Sequence, residues 1–228
     1  MKKIQCITFP RSGHHLLVNC LARYFGEDLL FDSRSIESGK DRSHFSAGEL
    51  VYCEYYHHCG QTPCADPKTN FQKNHDFGLK LENNLSYNYI IQYRHPIESI
   101  VSYYKFQTEY SHTIENNKQN WMSFFKKSMV YWAGFTHKWI IKNKNPQTYY
   151  LLYFDLVNNP GVKLKEVIGF IRPSKKVNVK RLSTVVDKTG LRTSCKIKEF
   201  RFYDPRFFKE MERKVYKELE LLSIKSIF

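Results

Sequence analysis

Long apolar segments are missing from this sequence of 228 residues. No run approaches the roughly 20 consecutive apolar residues that a transmembrane helix needs. Pro10 also interrupts the first segment before the apolar core of a secretory signal could form. Both absences predict a cytoplasmic protein with no membrane span.

Signatures of several common functions are absent as well. The Walker pattern GxxxxGK[ST] does not occur, which disfavours an ordinary ATPase. There is no RNP-type aromatic motif and no zinc-finger pattern, so nucleic acid is not an expected partner. Linkers, internal repeats and low-complexity tracts are also missing, so we interpret residues 1–228 as a single domain.

The cysteines form no CxxC pair, although the chain has six of them. One loose group of cysteines and histidines occurs at spacings that fit no zinc module. Because the chain is neither small nor visibly secreted, we expect reduced thiols and no bound metal. The members of this group are Cys53, His57, His58, Cys59 and Cys64.

Acidic residues are the minority charge. The chain has 22 Asp and Glu against 36 Lys and Arg, a formal net charge of +14. Such an excess favours polyanionic partners, among them nucleotides, acidic glycans, nucleic acid and anionic membrane surfaces. Hydrophobic residues make up 42% of the chain, so a folded core is expected rather than a disordered chain.

Short apolar runs alternate with helical periodicity along the chain. The predicted strands are Lys3–Phe9, Tyr87–Tyr93 and Thr148–Phe154. The predicted helices are His14–Phe25, Pro96–Phe106, Trp121–Ile141, Val162–Ile171 and one that starts at Pro205 after an Asp204 cap. This alternation predicts an α/β fold with a central parallel sheet flanked by helices. Between Gly26 and Thr69 no period is sustained, and loops with short regular pieces are expected.

The segment Phe9–His15 (FPRSGHH) lies between the first predicted strand and helix. A turn there directs backbone amides and the positive end of the helix dipole at one point, where an anion fits. Gly13 lets the backbone approach a phosphate closely, and Arg11 brings a fixed positive charge. Ser12 and His14 offer further hydrogen bonds. The alternative is a solvated polar turn.

A second polar turn follows the predicted strand Tyr87–Tyr93. Arg94 stands where that strand ends, and Ser102 lies about two helical turns further on, so both side chains can reach a second phosphate at the same sheet edge. The alternative for Arg94 is a structural ion pair with Glu98. The alternative for Ser102 is a hydroxyl that lies on the helix surface.

Together the two turns resemble the phosphate-binding motifs of sulfotransferases that use 3′-phosphoadenosine 5′-phosphosulfate (PAPS). Phe9–His15 resembles their 5′-phosphosulfate loop. The Arg-x-Pro turn at Arg94, with Ser102 following it, resembles their 3′-phosphate motif. Tyr153–Leu156 (YFDL) resembles the Tyr-Glu-Asp-Leu sequence that the family places after a late strand.

The resemblance implies a P-loop NTPase-like sulfotransferase fold, with PAPS bound across the carboxyl ends of the strands. It assigns the 3′-phosphate to Arg94 and Ser102. The family often carries a Lys in its first loop, whereas this chain has Arg11, which we expect to act as an electrostatic clamp rather than an acid. The residues assigned to the phosphosulfate are Arg11, Ser12, Gly13, His14 and His15.

The segment Lys73–His75 (KNH) resembles the Lys-x-His segment in which hydroxyl-directed sulfotransferases place their catalytic base. An attacking hydroxyl must lose its proton, and histidine suits that task near neutral pH, so His75 is the expected base. A solvated loop histidine is the alternative. Glu54, His57 and His58 are rival bases.

The family also closes its cofactor site with a basic segment that contains glycine. Lys188–Arg192 (KTGLR) is the candidate here, although it lacks the usual Arg-Lys-Gly-x-x-Gly pattern. Cofactor contacts are expected from Lys188, Gly190 and Arg192. A solvated basic loop is the alternative.

These motifs predict a sulfotransferase that passes a sulfuryl group from PAPS to a hydroxyl or amine of a carbohydrate or small molecule. One alternative is a phosphoryl-transfer enzyme with an atypical loop, for which no convincing magnesium-binding acid is present. Another is a catalytically inactive basic protein that binds polyanions. Gly26–Thr69 and the helix Trp121–Ile141 are expected to shape the acceptor pocket.

Overall fold

The computed structural model describes residues 3–26, 44–188 and 197–221. The strands are β1 (Ile4–Thr8), β2 (His44–Ala47), β3 (Leu50–Glu54), β4 (Phe71–Asn74), β5 (Asn88–Tyr93) and β6 (Thr148–Leu152). The helices are α1 (His14–Phe25), α2 (Pro96–Lys105), α3 (Lys118–Thr136), α4 (Tyr153–Asn158), α5 (Pro160–Ile171), α6 (Val179–Lys188) and α7 (Pro205–Leu221).

The six strands form one sheet in the order β2-β3-β4-β1-β5-β6. All neighbours pair in parallel except β2 and β3, which form an antiparallel hairpin at one edge. The predicted α/β fold is confirmed, but the sheet is mixed rather than purely parallel. The hairpin falls in the stretch that was expected to consist mainly of loops. Only two residues, Gly48 and Glu49, join its strands, and so short a connection permits only antiparallel pairing.

Helices cover both faces of the sheet. On one face α1, α5 and α6 bury residues such as Leu17 and Leu164, and on the other α2, α3 and α7 bury residues such as Trp132 and Phe208. Every residue of β1 is buried. Because both faces are covered, the strand does not alternate strictly between apolar and polar residues: Ile4, Cys6 and Ile7 are apolar, and the polar Gln5 and Thr8 are buried as well.

Several boundaries differ from the predicted ones. The strand predicted at Thr148–Phe154 ends at Leu152, and Tyr153 already begins α4. The helix predicted at Trp121–Ile141 runs as α3 and ends in a π-helical turn at His137–Ile141. Its tryptophans belong to the core. β4 has no apolar periodicity to predict it, because Gln72, Lys73 and Asn74 are polar although all are buried.

The strand order places a crevice beside β1. After β1 the chain crosses through α1 to one side of the sheet, returns at β4, and then passes to the other side at β5. In open α/β sheets, ligands bind outside the carboxyl ends of the strands at such a switch point. Within the described ranges, no helix combines the length and apolar character needed to span a membrane.

Candidate active site

A cavity of about 640 Å³ opens at the carboxyl ends of β4, β1 and β5. It brings together residues from all three motifs that the sequence singled out as phosphate-binding or catalytic. From these motifs, the cavity is lined by Arg11, Gly13, His14, His15, Lys73, His75, Arg94 and Ser102.

The loop after β1 turns through two residues with positive φ, Arg11 at 62° and Gly13 at 85°. The left-handed conformation is rare for a residue such as Arg and stores backbone strain. Helix α1 begins at His14, and no side chain caps its N-terminus. The first-turn amides of any helix lack intrahelical acceptors, and in α1 no capping side chain accepts from them either. They bring the positive end of the helix dipole to the cavity. This geometry suits an anion.

Tyr153 packs against the loop at the position of Gly13. A Cβ atom on residue 13 would lie 2.3 Å from Tyr153 Cδ2, so only glycine fits beneath this ring. The guanidinium carbon of Arg94 lies 4.3 Å from the centre of the same ring. Tyr153, the first residue of α4, thus connects the loop after β1 to the Arg94 turn.

Arg94 is buried on the cavity wall and forms an ion pair. Its Nε and Nη2 atoms donate to Glu98 Oε2 at 2.9 and 2.8 Å. The pairing that the sequence left open as an alternative therefore exists, and it coexists with a place at the cavity. A guanidinium has several N–H donors in a planar fork, so pairing with one carboxylate oxygen leaves donors for a ligand.

Arg11 and Ser12, adjacent in the loop, make contacts in different places. Arg11 Nε donates to Ser102 Oγ at 3.2 Å, and the Arg11 guanidinium carbon lies 5.2 Å from the centre of the Phe106 ring. Ser12 is buried, with its Oγ 3.5 Å from Ser99 Oγ on α2, and it does not line the cavity. The structure thus brings Arg11 and Ser102 together and places the Ser12 side chain beneath the loop.

His14 faces the sheet with both ring nitrogens engaged. Its Nε2 lies 3.2 Å from the Tyr52 hydroxyl oxygen and its Nδ1 lies 3.5 Å from Cys6 Sγ. Burial, followed by the positive charge of Lys73, holds the pKa of His14 well below its ordinary value. The His14 ring is therefore neutral at pH 7 and brings no charge to an anion.

His75 follows β4 and is oriented by Thr8. Its Nδ1 lies 2.7 Å from the Thr8 carbonyl oxygen and 3.0 Å from the Thr8 hydroxyl. Because a carbonyl oxygen only accepts, Nδ1 carries the proton of the neutral ring and Nε2 keeps its lone pair. Burial, followed by the charge of Lys73, lowers the pKa of His75 to about 3. His75 is therefore neutral at pH 7.

A buried ion pair between Lys73 and Glu54 forms part of the same wall. Lys73 Nζ donates to Glu54 Oε1, and the two residues are 3% and 7% exposed. They are register partners on β4 and β3, and the Tyr52 hydroxyl donates to Glu54 Oε2 at 3.3 Å. Residue spacing does not predict this pairing, because it depends on the register of the two strands.

Four aromatic side chains that were not predicted as site residues form much of the cavity wall. These residues are Tyr56, Phe77, Tyr103 and Phe106. The rings of Tyr56 and Phe77 lie 5.9 and 5.0 Å from that of His75. Tyr56 belongs to Gly26–Thr69, which was expected to shape the pocket. From α3, Tyr131 packs on Phe77 with ring centres 5.7 Å apart and donates to the His75 carbonyl oxygen.

Other predicted residues lie outside the described part of the structure or away from this cavity. Gly190, Arg192 and the side chains of Lys188 and His57 lie outside the described part of the structure. His58 is exposed and stacks on His44, with ring centres 4.3 Å apart, and it does not line the cavity. Of the rival bases, Glu54 is the one whose described side chain lines the cavity.

A mostly parallel α/β sheet with an uncapped helix N-terminus and basic residues at its switch point defines a P-loop-like fold. The family is more specific. The model of the sulfotransferase domain matches residues 4–193, so this chain belongs to the sulfotransferase family. No curated protein sequence matches the chain significantly.

Solved structures of sulfotransferases and a related enzyme have a similar fold. Mouse sulfotransferase SULT7A1 complexed with PAP (3′-phosphoadenosine 5′-phosphate) gives a TM-score of 0.62 at 12% identity. The match covers 99% of this chain and 89% of that chain. Retinol dehydratase in a complex with retinol and PAP gives 0.59 at 15% identity, over 96% and 82%. The sulfotransferase domain from the Curacin biosynthetic pathway gives 0.51 at 15% identity, over 98% of both chains.

Proposed function

We propose that this chain, as a single domain, transfers the sulfuryl group of PAPS to a hydroxyl of a small-molecule or carbohydrate acceptor. The observation that carries the proposal is the convergence of Arg11, Arg94 and His75 on one cavity at the carboxyl ends of adjacent strands. Membership of the sulfotransferase family and the PAP in two similar structures support the choice of donor.

The cavity fits a ligand with several anionic groups. Among the described residues, Arg11, Lys73 and Arg94 line it together with one carboxylate, that of Glu54, which pairs with Lys73. Arg94 pairs with Glu98 on α2, and the uncapped first turn of α1 adds backbone donors. In this proposal the α1 turn and Arg11 hold the 5′-phosphosulfate, and Arg94 and Ser102 hold the 3′-phosphate. Further contacts are assigned to Lys188, Gly190 and Arg192.

Two side chains have distinct tasks in this proposal. PAPS supplies an activated sulfuryl group, whose transfer to the acceptor oxygen releases 3′-phosphoadenosine 5′-phosphate (PAP). His75 accepts the hydroxyl proton at Nε2, because Nδ1 is held by the Thr8 carbonyl. A bound polyanion raises the pKa of His75 from its low value by Coulomb attraction, which makes it a stronger base. Arg11 offsets the negative charge that develops on the leaving oxygen.

The aromatic wall supports an acceptor with a ring or an apolar face. The rings of Tyr56, Phe77, Tyr103 and Phe106 offer flat surfaces that can pack on planar rings and on the CH faces of sugars. Retinol dehydratase was solved with retinol, which supports a small acceptor for this chain as well.

Differential scanning fluorimetry with PAP, ATP and AMP at equal concentration tests the donor. PAP is expected to raise the Tm, whereas ATP and AMP have little effect, because only PAP carries the 3′-phosphate assigned to Arg94 and Ser102. Transfer of labelled sulfate from PAPS to a panel of phenols, alcohols, sugars and amines tests the acceptor class. Equal stabilisation by ATP, with ATP turnover, would support the phosphoryl-transfer alternative instead.

A further inference from the structure

A second cluster of chemically active side chains lies away from the cavity, around Cys53 at the end of β3. The sulfur atoms of Cys53, Cys59 and Cys64 all lie within 4.8 Å of one another. Cys53 Sγ and Cys59 Sγ are 3.3 Å apart. Thiolates on a tetrahedral zinc ion lie about 3.8 Å apart, given Zn–S bonds of about 2.3 Å. The three sulfurs are therefore close to the spacing of a shared metal.

Two histidines border the thiols. One ring nitrogen of His44, one of His58 and Cys64 Sγ also lie within 4.8 Å of one another. The two rings stack with an interplanar angle of 20°. His44 Nε2 lies 3.0 Å from Asp66 Oδ2, and metal-binding histidines commonly direct their second nitrogen to a carboxylate in this way. The cluster thus offers an imidazole ligand with an orienting partner.

Strand register builds one side of the cluster. His44 pairs with Cys53 across β2 and β3, and Cys53 pairs with Gln72 across β3 and β4, so the three side chains form a row on one face of the sheet. Gln72 is 1% exposed and donates from Nε2 to Cys59 Sγ at 3.3 Å. A buried amide that donates to a cysteine sulfur is the kind of outer contact that orients a metal ligand.

The connection between β3 and β4 is not anchored by side chains of the hydrophobic core. Among the side chains of residues 55–70 that the structure describes, none belongs to either hydrophobic core cluster. The connection nevertheless forms a π-helical turn at Tyr55–Cys59 and carries Tyr56 onto the ring of His75. Segments that cannot bury an adequate core are commonly fixed by a disulfide or a structural metal. The thiols lie where such a link is needed.

We propose that Cys53, Cys59, Cys64 and one histidine of the stacked pair His44 and His58 bind a structural zinc ion. Three thiolates and one imidazole satisfy tetrahedral zinc and leave no position for substrate, so the site is structural rather than catalytic. This proposal replaces the expectation of no bound metal, which relied on the absence of a CxxC pair. The spacing is unusual because the ligands come from a β-hairpin and the loop that follows it.

The proposed zinc ligands are close in sequence to residues of the active-site cavity. Cys53 precedes Glu54, the partner of Lys73, and the π-helical turn between Cys53 and Cys59 carries Tyr56. Neighbouring residues of a strand point to opposite faces, so the metal and the Glu54 ion pair lie on opposite faces of β3. Loss of zinc is therefore expected to loosen one wall of the cavity.

Metal analysis of the full-length protein tests the site without reference to activity. Protein purified under reducing conditions is expected to carry about one zinc ion per chain by plasma mass spectrometry. Replacement by cobalt is expected to give the visible bands of a tetrahedral thiolate site. Chelation is expected to lower the Tm, and zinc, but not magnesium, is expected to restore it.

Variants assign the ligands. Cys59→Ser and Cys64→Ser are expected to lose the zinc, whereas Cys20→Ala, a buried cysteine in α1 outside the cluster, is the matched control and keeps it. Of His44→Ala and His58→Ala, the variant that loses zinc identifies the fourth ligand. Full zinc content in both histidine variants would overturn the ligand assignment.

Two outcomes with the unmodified protein would overturn the proposal even where a cysteine variant fails to fold. One is a protein with reduced thiols that takes up neither zinc nor cobalt. The other is a disulfide between Cys53 and Cys59, found by peptide mass spectrometry in metal-free protein prepared without oxidant. The second result would assign the pair to redox chemistry instead.

Discussion

Arg11 Nε donates a hydrogen bond to the Ser102 hydroxyl at 3.2 Å, across a sequence separation of 91 residues. The contact joins the loop after β1 to α2. Tyr153 makes a second connection, because its ring packs on both Gly13 and the Arg94 guanidinium. Two motifs that are distant in sequence thus form one structural unit at the cavity, and substitutions in either are expected to affect ligand binding by the other.

Arg94→Ala is expected to weaken PAP binding by about 2 to 5 kcal/mol, because it removes a desolvated charge from the proposed 3′-phosphate site. Arg94→Lys is expected to recover only part of the loss, since an ammonium cannot offer the planar fork. Isothermal titration calorimetry measures both. Arg172→Ala, which removes a cation paired with Glu49 on the surface, is the control and should leave the Kd unchanged.

The ion pair with Glu98 provides the competing explanation for Arg94. If Arg94 serves only that pair, Arg94→Ala will lower the Tm and leave PAP affinity as it was. That result would remove Arg94 from the binding site.

Gly13→Ala is expected to lower both the Tm and the affinity for PAP. The residue has φ of 85°, where a Cβ costs about 1 to 2 kcal/mol, and the added atom would overlap the Tyr153 ring. The control is Gly161→Ala in the first turn of α5, where a Cβ meets no atom within 4 Å. Wild-type behaviour of Gly13→Ala would contradict the tight packing of loop and ring.

Lys73→Met is expected to lower the free energy of unfolding by about 3 to 5 kcal/mol, because it leaves the buried carboxylate of Glu54 without its cation. Replacing both partners, as Lys73→Met with Glu54→Leu, is expected to recover most of that loss, since no buried charge remains. Urea unfolding monitored by circular dichroism gives both values. A double variant no more stable than Lys73→Met would show that the unpaired charge of Glu54 is not the cause of the lost stability.

The parts of the fold that could be predicted from the sequence are those with clear apolar periodicity. β1 with α1 and β5 with α2 were recognisable because each strand carries apolar residues on both faces and is followed by a helix with clear apolar periodicity. β4 was not, because its side chains at Gln72 and Lys73 are polar yet buried by pairing with other polar groups. Local sequence does not reveal partners that come from other strands.

The same distinction holds for the site. The loop around Gly13 and the turn at Arg94 are local motifs, and the structure brings both to one cavity. The Lys73 and Glu54 pair depends on the register of β3 against β4, and the thiol cluster around Cys53 depends on the path of the following loop. Neither is encoded in residue spacing alone.

The free energy of unfolding is expected to fall as the pH drops below about 6.5. His14 and His75 have lowered pKa values in the folded protein, about 3 for His75, whereas in the unfolded chain they titrate near 6.5. Between these values the unfolded state binds protons that the folded state does not, so stability is complete above the unfolded pKa and is lost toward pH 3. Urea midpoints in buffers from neutral to mildly acidic pH measure the slope.

A matched variant isolates the contribution of one histidine to that slope. His75→Asn cannot be protonated, so its stability is expected to depend less steeply on pH in the same range. The same slope in His75→Asn and wild type would show that His75 is not the source of the effect.

His75→Ala is expected to lower turnover by roughly 10²-fold or more while PAP affinity stays nearly intact, because a base acts on the transition state rather than on ground-state binding. Steady-state kinetics with PAPS and the best acceptor give kcat, and calorimetry gives the Kd for PAP. His112→Asn is the control, since His112 is exposed, lies outside the cavity, and has a positive φ that Asn tolerates.

Two other results would each withdraw the assignment of His75 as the base. Near wild-type turnover in His75→Ala would move the search to Glu54, whose carboxylate lines the same cavity, and to His57. A parallel fall in turnover and PAP affinity would mean that His75 supports the loop through its contact with the Thr8 carbonyl rather than the proton transfer. Glu54→Gln, measured in the same two assays, then distinguishes a carboxylate base from a structural partner of Lys73.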